Sequence, residues 1–306
     1  DPAPVSDDVI AALKELLQIE PECTDTKQLA VVAFLYIYSI IFINKSDPPS
    51  IAVEMKSDIP VGAGLGSSAA FSVALSSALL QLSGVVSSEK VSDNVATWPS
   101  ADLDTINKYA FLGEKMIHGQ PSGIDNSIST YVNHTATMIL NWKTKELLNF
   151  LSIPTLKMML VNTKVPRSTK TLVSNFRQLY NTVSITCEQN SVYIAIPSVG
   201  NVLAFLMGFH IQALNLCPQE LMDMNHQFLN LMGVGHPSLD QVMAEARKSG
   251  FHGKLTGAGG GGCAIILLPP GADLAAVTKL EEQLITLGFQ VFSNTSFGGR
   301  GVIQHL

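Results

Sequence analysis

The stretch VGAGLGSSAAF, residues 61–71, decides how the chain is read, because three glycines crowd into five positions and then give way to helix formers. Glycines at 62, 64 and 66 bare the backbone, so several N–H groups can converge on one anion, and Ser67 and Ser68 stand where a helix begins. That arrangement suits a phosphate. The helix dipole supplies only about 0.3 to 2 kcal/mol, so most of the affinity has to come from the hydrogen bonds themselves. No Lys-Ser/Thr pair follows the glycines, so this is not a Walker loop, and the GxGxG spacing is not the dinucleotide fingerprint. The plainer alternative is a tight strand-to-helix turn packed against its neighbours. Upstream, Ser50–Met55 (SIAVEM) alternates weakly as a strand; downstream, Ser67–Leu82 reads as a helix stopped by Gly84.

The rest of the chain alternates between helical and extended patterns without a fixed-period repeat, which predicts an α/β or α+β protein. Its 306 residues suffice for about two domains, each with its own core. The polar stretch 141–146 and Pro154 put the join near residue 150, with one domain over 1–150 and another over 151–306. Helices are expected from Trp98-Pro99-Ser100 to His118-Gly119, over Ser238–Ser249 and over Leu274–Leu287. Strands are expected at Lys157–Val161, Cys263–Leu268 and Gln290–Ser293. The 15-residue run Leu29–Ile43 falls short of the roughly 20 residues a bilayer demands and reads as a buried core helix. Between Glu188 and Glu220 no charged residue occurs, but Pro197, Asn201, Gly208, His210 and Gln212 interrupt the run, which favours a buried segment over a membrane span.

Charge narrows the partners. Only 19 Lys and Arg against 25 Asp and Glu leave a formal charge of −6 and no basic stripe for nucleic acid. The cysteines Cys23, Cys187, Cys217 and Cys263 lie far apart with no CxxC pair, which predicts a reducing, cytoplasmic setting. The N-terminus lacks a signal-peptide layout and does not begin with Met, so the chain is expected to start partway through a longer protein.

Two acidic residues stand out. In the helix over 101–118, Leu103, Ile106, Ala110 and Ile117 form one apolar stripe, and Glu114 falls within it. A carboxylate on the buried face needs a cation, a metal or strong donors, unless it snorkels out at the helix end. Just beyond, Pro121-Ser122-Gly123 marks a turn that delivers Asp125 on a short link, so two carboxylates can converge on one cleft. With phosphates on the glycine loop, one could hold Mg²⁺ while the other orients or deprotonates an attacking hydroxyl. Lys164, Arg167 and Lys170 cluster in NTKVPRSTK, where Arg can clamp a carboxylate or phosphate, although a solvated loop is the bland reading. In KLTGAGGGGCAIILL, residues 254–268, five glycines within six residues suggest close approach of another loop or a ligand. The seven His show no HExxH spacing, and there is no GxSxG elbow.

Taken in order, VGAGLGSSAAF, GEKMIHGQPSGIDNSIST, VNTKVPRST, DMN followed by GVGHPSLD, and KLTGAGGGGC resemble the galactokinase, homoserine kinase, mevalonate kinase and phosphomevalonate kinase superfamily. Within it, GEKMIHGQPSGIDN and NTKVPRST are most similar to the mevalonate kinase family. The likeness covers roughly residues 25–180 and 220–300. It implies an α+β, two-domain small-molecule kinase fold with a ferredoxin-like second half, often a homodimer. It also implies ATP and Mg²⁺ as cofactors, and phosphorylation of the C5 hydroxyl of mevalonate on the route to isoprenoids and sterols. By the same resemblance, Gly62, Ala63, Gly64, Leu65, Gly66, Ser67 and Ser68 wrap the ATP phosphates, with Ser57 a further nucleotide contact. Ser68 and Glu114 hold Mg²⁺, and Asp125 is the catalytic acid/base. Arg167 and Thr169 lie near the acceptor, and the turn containing Gly257 and Gly259 buttresses the phosphate loop.

Three departures accompany the likeness. The family's opening PGKVILxGEHxVV-like stretch, with its Lys beside the catalytic Asp, has no counterpart, so the first domain is expected to be incomplete. Val132-Asn133 stands where the family usually has Gly-Gly, and an uncharged segment over 189–216 replaces a charged helical region. The alternatives are another kinase of the superfamily, such as phosphomevalonate kinase, or a catalytically impaired nucleotide-binding homologue.

Overall fold

The structure is a computed structural model that describes residues 6–23, 25–59, 64–119, 121–131, 136–141, 146–151, 157–166, 172, 218–296 and 301–305. Gly62, Ala63, Arg167, Thr169 and the segment 189–216 lie outside the described residues. The chain forms two compact units, one of residues 1–59, 66–138 and 299–306, the other of residues 60–65 and 139–298.

The first unit is mainly helical: α1 (Asp7–Leu16), α2 (Thr26–Phe42), α3 (Ser67–Ser83), α4 (Ser100–His118) and α5 (Ile124–Tyr131). A small sheet adds β1 (Glu89–Ser92), β2 (Val95–Thr97) and β9 (Gln304–His305), paired antiparallel in that order. The apolar run 29–43 lies within α2, whose Val32, Ala33, Tyr36 and Ile37 pack with Leu75 and Leu79 of α3 and Met116 of α4. It is a core helix, and among the described residues no helix is long and apolar enough to cross a membrane. Gly84 ends α3 at φ 78°, its N–H bonded to the carbonyls of Gln81 and Leu80, as the sequence predicts. On α4, Gly113 lets the helices close in, since a Cβ there would lie 2.8 Å from Ser72 Oγ and 3.0 Å from Ile37 Cδ1.

Residues 50–58, by contrast, form no strand. Weak alternation specifies an extended chain, but a strand also needs a ladder partner, and none pairs with it among the described residues.

The second unit carries a four-stranded antiparallel sheet of β5 (Lys157–Asn162), β6 (His252–Leu255), β7 (Cys263–Leu268) and β8 (Gln290–Ser296) in the order β6-β7-β5-β8. A separate two-stranded sheet joins β3 (Ala136–Asn141) and β4 (Glu146–Leu151). Helix α7 (Pro237–Lys248) precedes β6, and α8 (Leu274–Thr286) links β7 to β8. Both helices pack on one sheet face through Val242, Met243, Leu280 and Leu284. The path β5-α7-β6-β7-α8-β8 with that strand order is the split βαβ, or ferredoxin-like, arrangement. Helix α6 (Pro218–Leu231) covers the other face, with Leu221 and Met222 against Ile265, Leu267 and Met158. Covered on both sides, β7 is buried at all six positions, which is why CAIILL reads as a continuous apolar run.

One buried residue breaks the rule. Lys254 pairs with Ile265 and shares its face, the one covered by α6, and it is fully buried. Its Nζ has no hydrogen-bond partner among the described residues, and burial lowers its pKa to about 7.

Candidate active site

Local sequence builds the site from one helix start. Gly66 caps α3 in the left-handed region, at φ 75°, and no side chain caps the helix. The first-turn amides are therefore left for some other acceptor. A Cβ on Gly66 would meet Asp125 at 3.6 Å, an ordinary contact, so it is the positive φ rather than lack of room that selects glycine. Gly64 likewise has φ 76°.

Asp125 reaches that position because α5 is fastened to α4. After the Pro121-Ser122-Gly123 turn, Ser122 Oγ accepts the N–H of Ile124 at 3.3 Å, and Gly123 adopts φ 82°. Asn126 Nδ2 donates to Asn107 Oδ1 at 2.6 Å, and the Tyr131 hydroxyl donates to Asp104 Oδ1 at 2.6 Å. Both bonds join α5 to α4. Asp125 stands in the first turn of α5, with its side chain beside Gly66.

Glu114 projects from α4 into the same place. It is 5 % exposed, and its carboxyl is raised to about 7, chiefly by burial. A hydrogen bond from Ser68 opposes that rise, and the negative charge of Asp125 adds to it. Its Oε1 has no hydrogen-bond partner among the described residues. Ser68 Oγ also lies 3.0 Å from Nε2 of His118, one turn beyond Glu114 on the same face of α4. Burial lowers the His118 pKa below its usual value. Ser68, Glu114 and Asp125, all singled out in the sequence, thus lie near Gly66 at the start of α3, and His118 approaches Ser68 from α4. Sequence reasoning took His118 only as the helix end, although its i+4 spacing from Glu114 was the available signal.

Hard oxygen donors, one of them a buried orphan beside a second carboxylate, fit a hard divalent cation such as Mg²⁺. Among the described residues no three His, Cys, Asp or Glu converge as a metal cage. A nucleotide-borne Mg²⁺ needs none, since it takes only one or two protein ligands besides phosphate and water.

Ser57 sits in an exposed stretch, where its Oγ accepts the N–H of Ile59 at 3.1 Å. In the second unit, Gly257 and Gly259 have φ 58° and 76° in the turn between β6 and β7. That bare turn accommodates two other loops of its own unit. Gly260 N–H donates to Val234 O at 2.8 Å, and Gly262 N–H donates to Val165 O at 3.1 Å. Thr163 gives both its N–H and its hydroxyl to Gly262 O, at 2.9 and 2.7 Å. Val234 belongs to the GVGH link, which is braced in turn by a buried histidine. His226 Nδ1 accepts the Leu255 N–H at 3.3 Å, and its Nε2 lies 3.1 Å from Asp240 Oδ1, which also accepts from Asn230 Nδ2. A Cβ on Gly259 would fall 1.9 Å from Val234 O, which cannot retreat without losing Gly260. Gly259→Ala is therefore expected to lower stability by about 2 to 4 kcal/mol, read as a fall in the urea midpoint with an unchanged m-value.

Comparison with known proteins adds two family models, GHMP kinases N terminal domain over residues 28–133 and GHMP kinases C terminal over residues 212–286. The chain is 39% identical over 308 residues to mouse mevalonate kinase, covering 96% of this chain and 73% of the relative. It is 39% identical to the human enzyme of the same name, covering 97% of this chain and 74% of the relative. Among solved structures, Methanococcus jannaschii mevalonate kinase has a similar fold, with TM-score 0.56 at 21% identity, over 96% of this chain and 80% of that one.

Proposed function

The chain belongs to the GHMP kinases, and on that premise we propose that it transfers the γ-phosphoryl group of ATP to the C5 hydroxyl of mevalonate. The choice of mevalonate over phosphomevalonate rests on the relatives at 39% identity. The observation that carries the chemistry is the meeting of Asp125, Glu114 and Ser68 at the uncapped start of α3.

In this reading, residues 62–68 and the first-turn amides of α3 hold the nucleotide's phosphates, with Ser57 nearby. Ser68 and Glu114 hold Mg²⁺, which neutralises charge on the transferring phosphoryl group. Asp125 takes the proton of the attacking hydroxyl, Arg167 and Thr169 face the acceptor, and the turn at Gly257 and Gly259 supports the phosphate loop. A cytoplasmic homodimer and a role in sterol precursor supply are proposed with it. Among the described residues Cys23 and Cys263 form no disulfide, which supports the cytoplasmic part. The deciding experiment offers ATP with (R)-mevalonate or phosphomevalonate and identifies the product by mass. Mevalonate is expected to be phosphorylated, and faster turnover of phosphomevalonate would overturn the assignment.

A pH dependence follows from Glu114. Its carboxyl holds a proton below about 7, and a cation must displace that proton to bind. Divalent-cation affinity is therefore expected to fall by roughly tenfold per pH unit below about pH 7 and to level off above it. Glu114→Gln should weaken cation binding most above about pH 7 and abolish the slope, both measurable by Mn²⁺ titration.

A further inference from the structure

Glu114 and His118 are four residues apart on α4, and His118 Nε2 lies 3.0 Å from the hydroxyl of Ser68. A serine hydroxyl has one proton to give and two lone pairs to offer, and its rotor is otherwise free. With His118 Nε2 at 3.0 Å, one of those bonding directions is taken.

We propose that His118 is a positioning residue for the nucleotide's divalent cation: it occupies one bonding direction of Ser68 Oγ and thereby fixes the oxygen that meets the cation. The inference rests on the phosphoryl-transfer reading given above and extends it to a residue outside the ligand set. Outer partners of this kind orient a ligand and tune its donor strength, and their loss typically weakens metal affinity or activity by about 10 to 100-fold. Once Ser68 and Glu114 both face a cation, the carboxylate is engaged, and the hydroxyl proton needs another acceptor. An imidazole nitrogen at hydrogen-bond distance supplies it. Because the histidine's partner is the Ser68 hydroxyl, its removal should be felt chiefly through the cation.

The test measures Mn²⁺ binding by electron paramagnetic resonance in the presence of a saturating non-hydrolysable ATP analogue. Wild type is compared with His118→Ala and His118→Gln, and binding of the analogue in excess chelator is measured alongside. His118→Ala is expected to bind Mn²⁺ about tenfold more weakly or worse, with a matching fall in kcat and little change in KM for the acceptor alcohol. His118→Gln, whose amide oxygen can accept the same hydrogen, should recover to within a few-fold of wild type. Metal-free binding of the analogue should be equal in all three proteins. Mn²⁺ affinity in His118→Ala equal to wild type, or equal weakening in both variants, overturns the proposal. If wild type itself holds no Mn²⁺ beside the analogue, the phosphoryl-transfer reading falls first and this inference with it. If wild type holds Mn²⁺ but phosphorylates no alcohol, only the acceptor assignment fails.

Discussion

Asp125→Ala is expected to lower turnover by roughly two to four orders of magnitude while leaving nucleotide affinity within a few-fold of wild type. The asymmetry comes from where the residue stands. Asp125 stands beside Gly66 at the start of α3, yet the groups proposed to hold phosphate and cation are backbone amides, Ser68 and Glu114. Removing it takes away the group proposed to accept the hydroxyl proton and spares those proposed to bind the nucleotide. The negative charge of Asp125 also helps to raise Glu114, so alanine should leave Glu114 slightly more acidic and cation binding no worse. Asp125→Asn sharpens the test, because it keeps shape and hydrogen bonding but removes the basic oxygen. Single-turnover kinetics beside direct nucleotide titration would read both quantities. Equal losses in rate and in affinity would strip Asp125 of the role of base.

A second large effect lies in the other unit and has the opposite sign. Lys254→Met is expected to stabilise the protein by roughly 3 to 5 kcal/mol at pH 7. In the folded chain Lys254 has a pKa of about 7, set by burial alone, against the ordinary 10.5. Between those two values the unfolded chain binds a proton that the folded chain does not, so stability rises with pH across that window. The full penalty is present below about pH 7 and vanishes above about 10.5. Methionine has a similar reach and no charge to strand, and buried charges replaced by apolar side chains of like size often stabilise. Urea unfolding at pH 7 and pH 9.5 would show wild type gaining stability relative to the variant as pH rises. A constant difference between the two proteins would mean that Lys254 finds a partner when charged.

Much of this architecture is legible in the sequence where a local signal suffices. Helices α3 and α4 announce themselves by apolar period and by glycine at the C-terminus, and β7 by its unbroken apolar run. Glu114 was found by phase, since only a side chain on the buried stripe needs a reason to be charged. Signals that depend on a distant partner fail. Residues 50–55 alternate as a strand but have nothing to pair with among the described residues. β1 has four exposed residues and no apolar face to betray it. α5, with the sequence IDNSISTY, reads as a capped turn because its helicity is secured by Asn107 and Asp104 on α4, side chains about twenty or more residues away. Lys254 hides for the same reason, since alternation places it on a sheet face but only the fold shows that α6 closes over that face.

The stitch between Thr163, Val165 and Gly262 separates two tasks along the chain. Three hydrogen bonds end β5 against the glycine turn, so the backbone leaves the sheet from a clamped point at Pro166. The end of β5 is thus fastened just before residues 167–170. On the proposal that Arg167 and Thr169 face the acceptor, substitution there can change acceptor preference without loosening the clamp that ends β5.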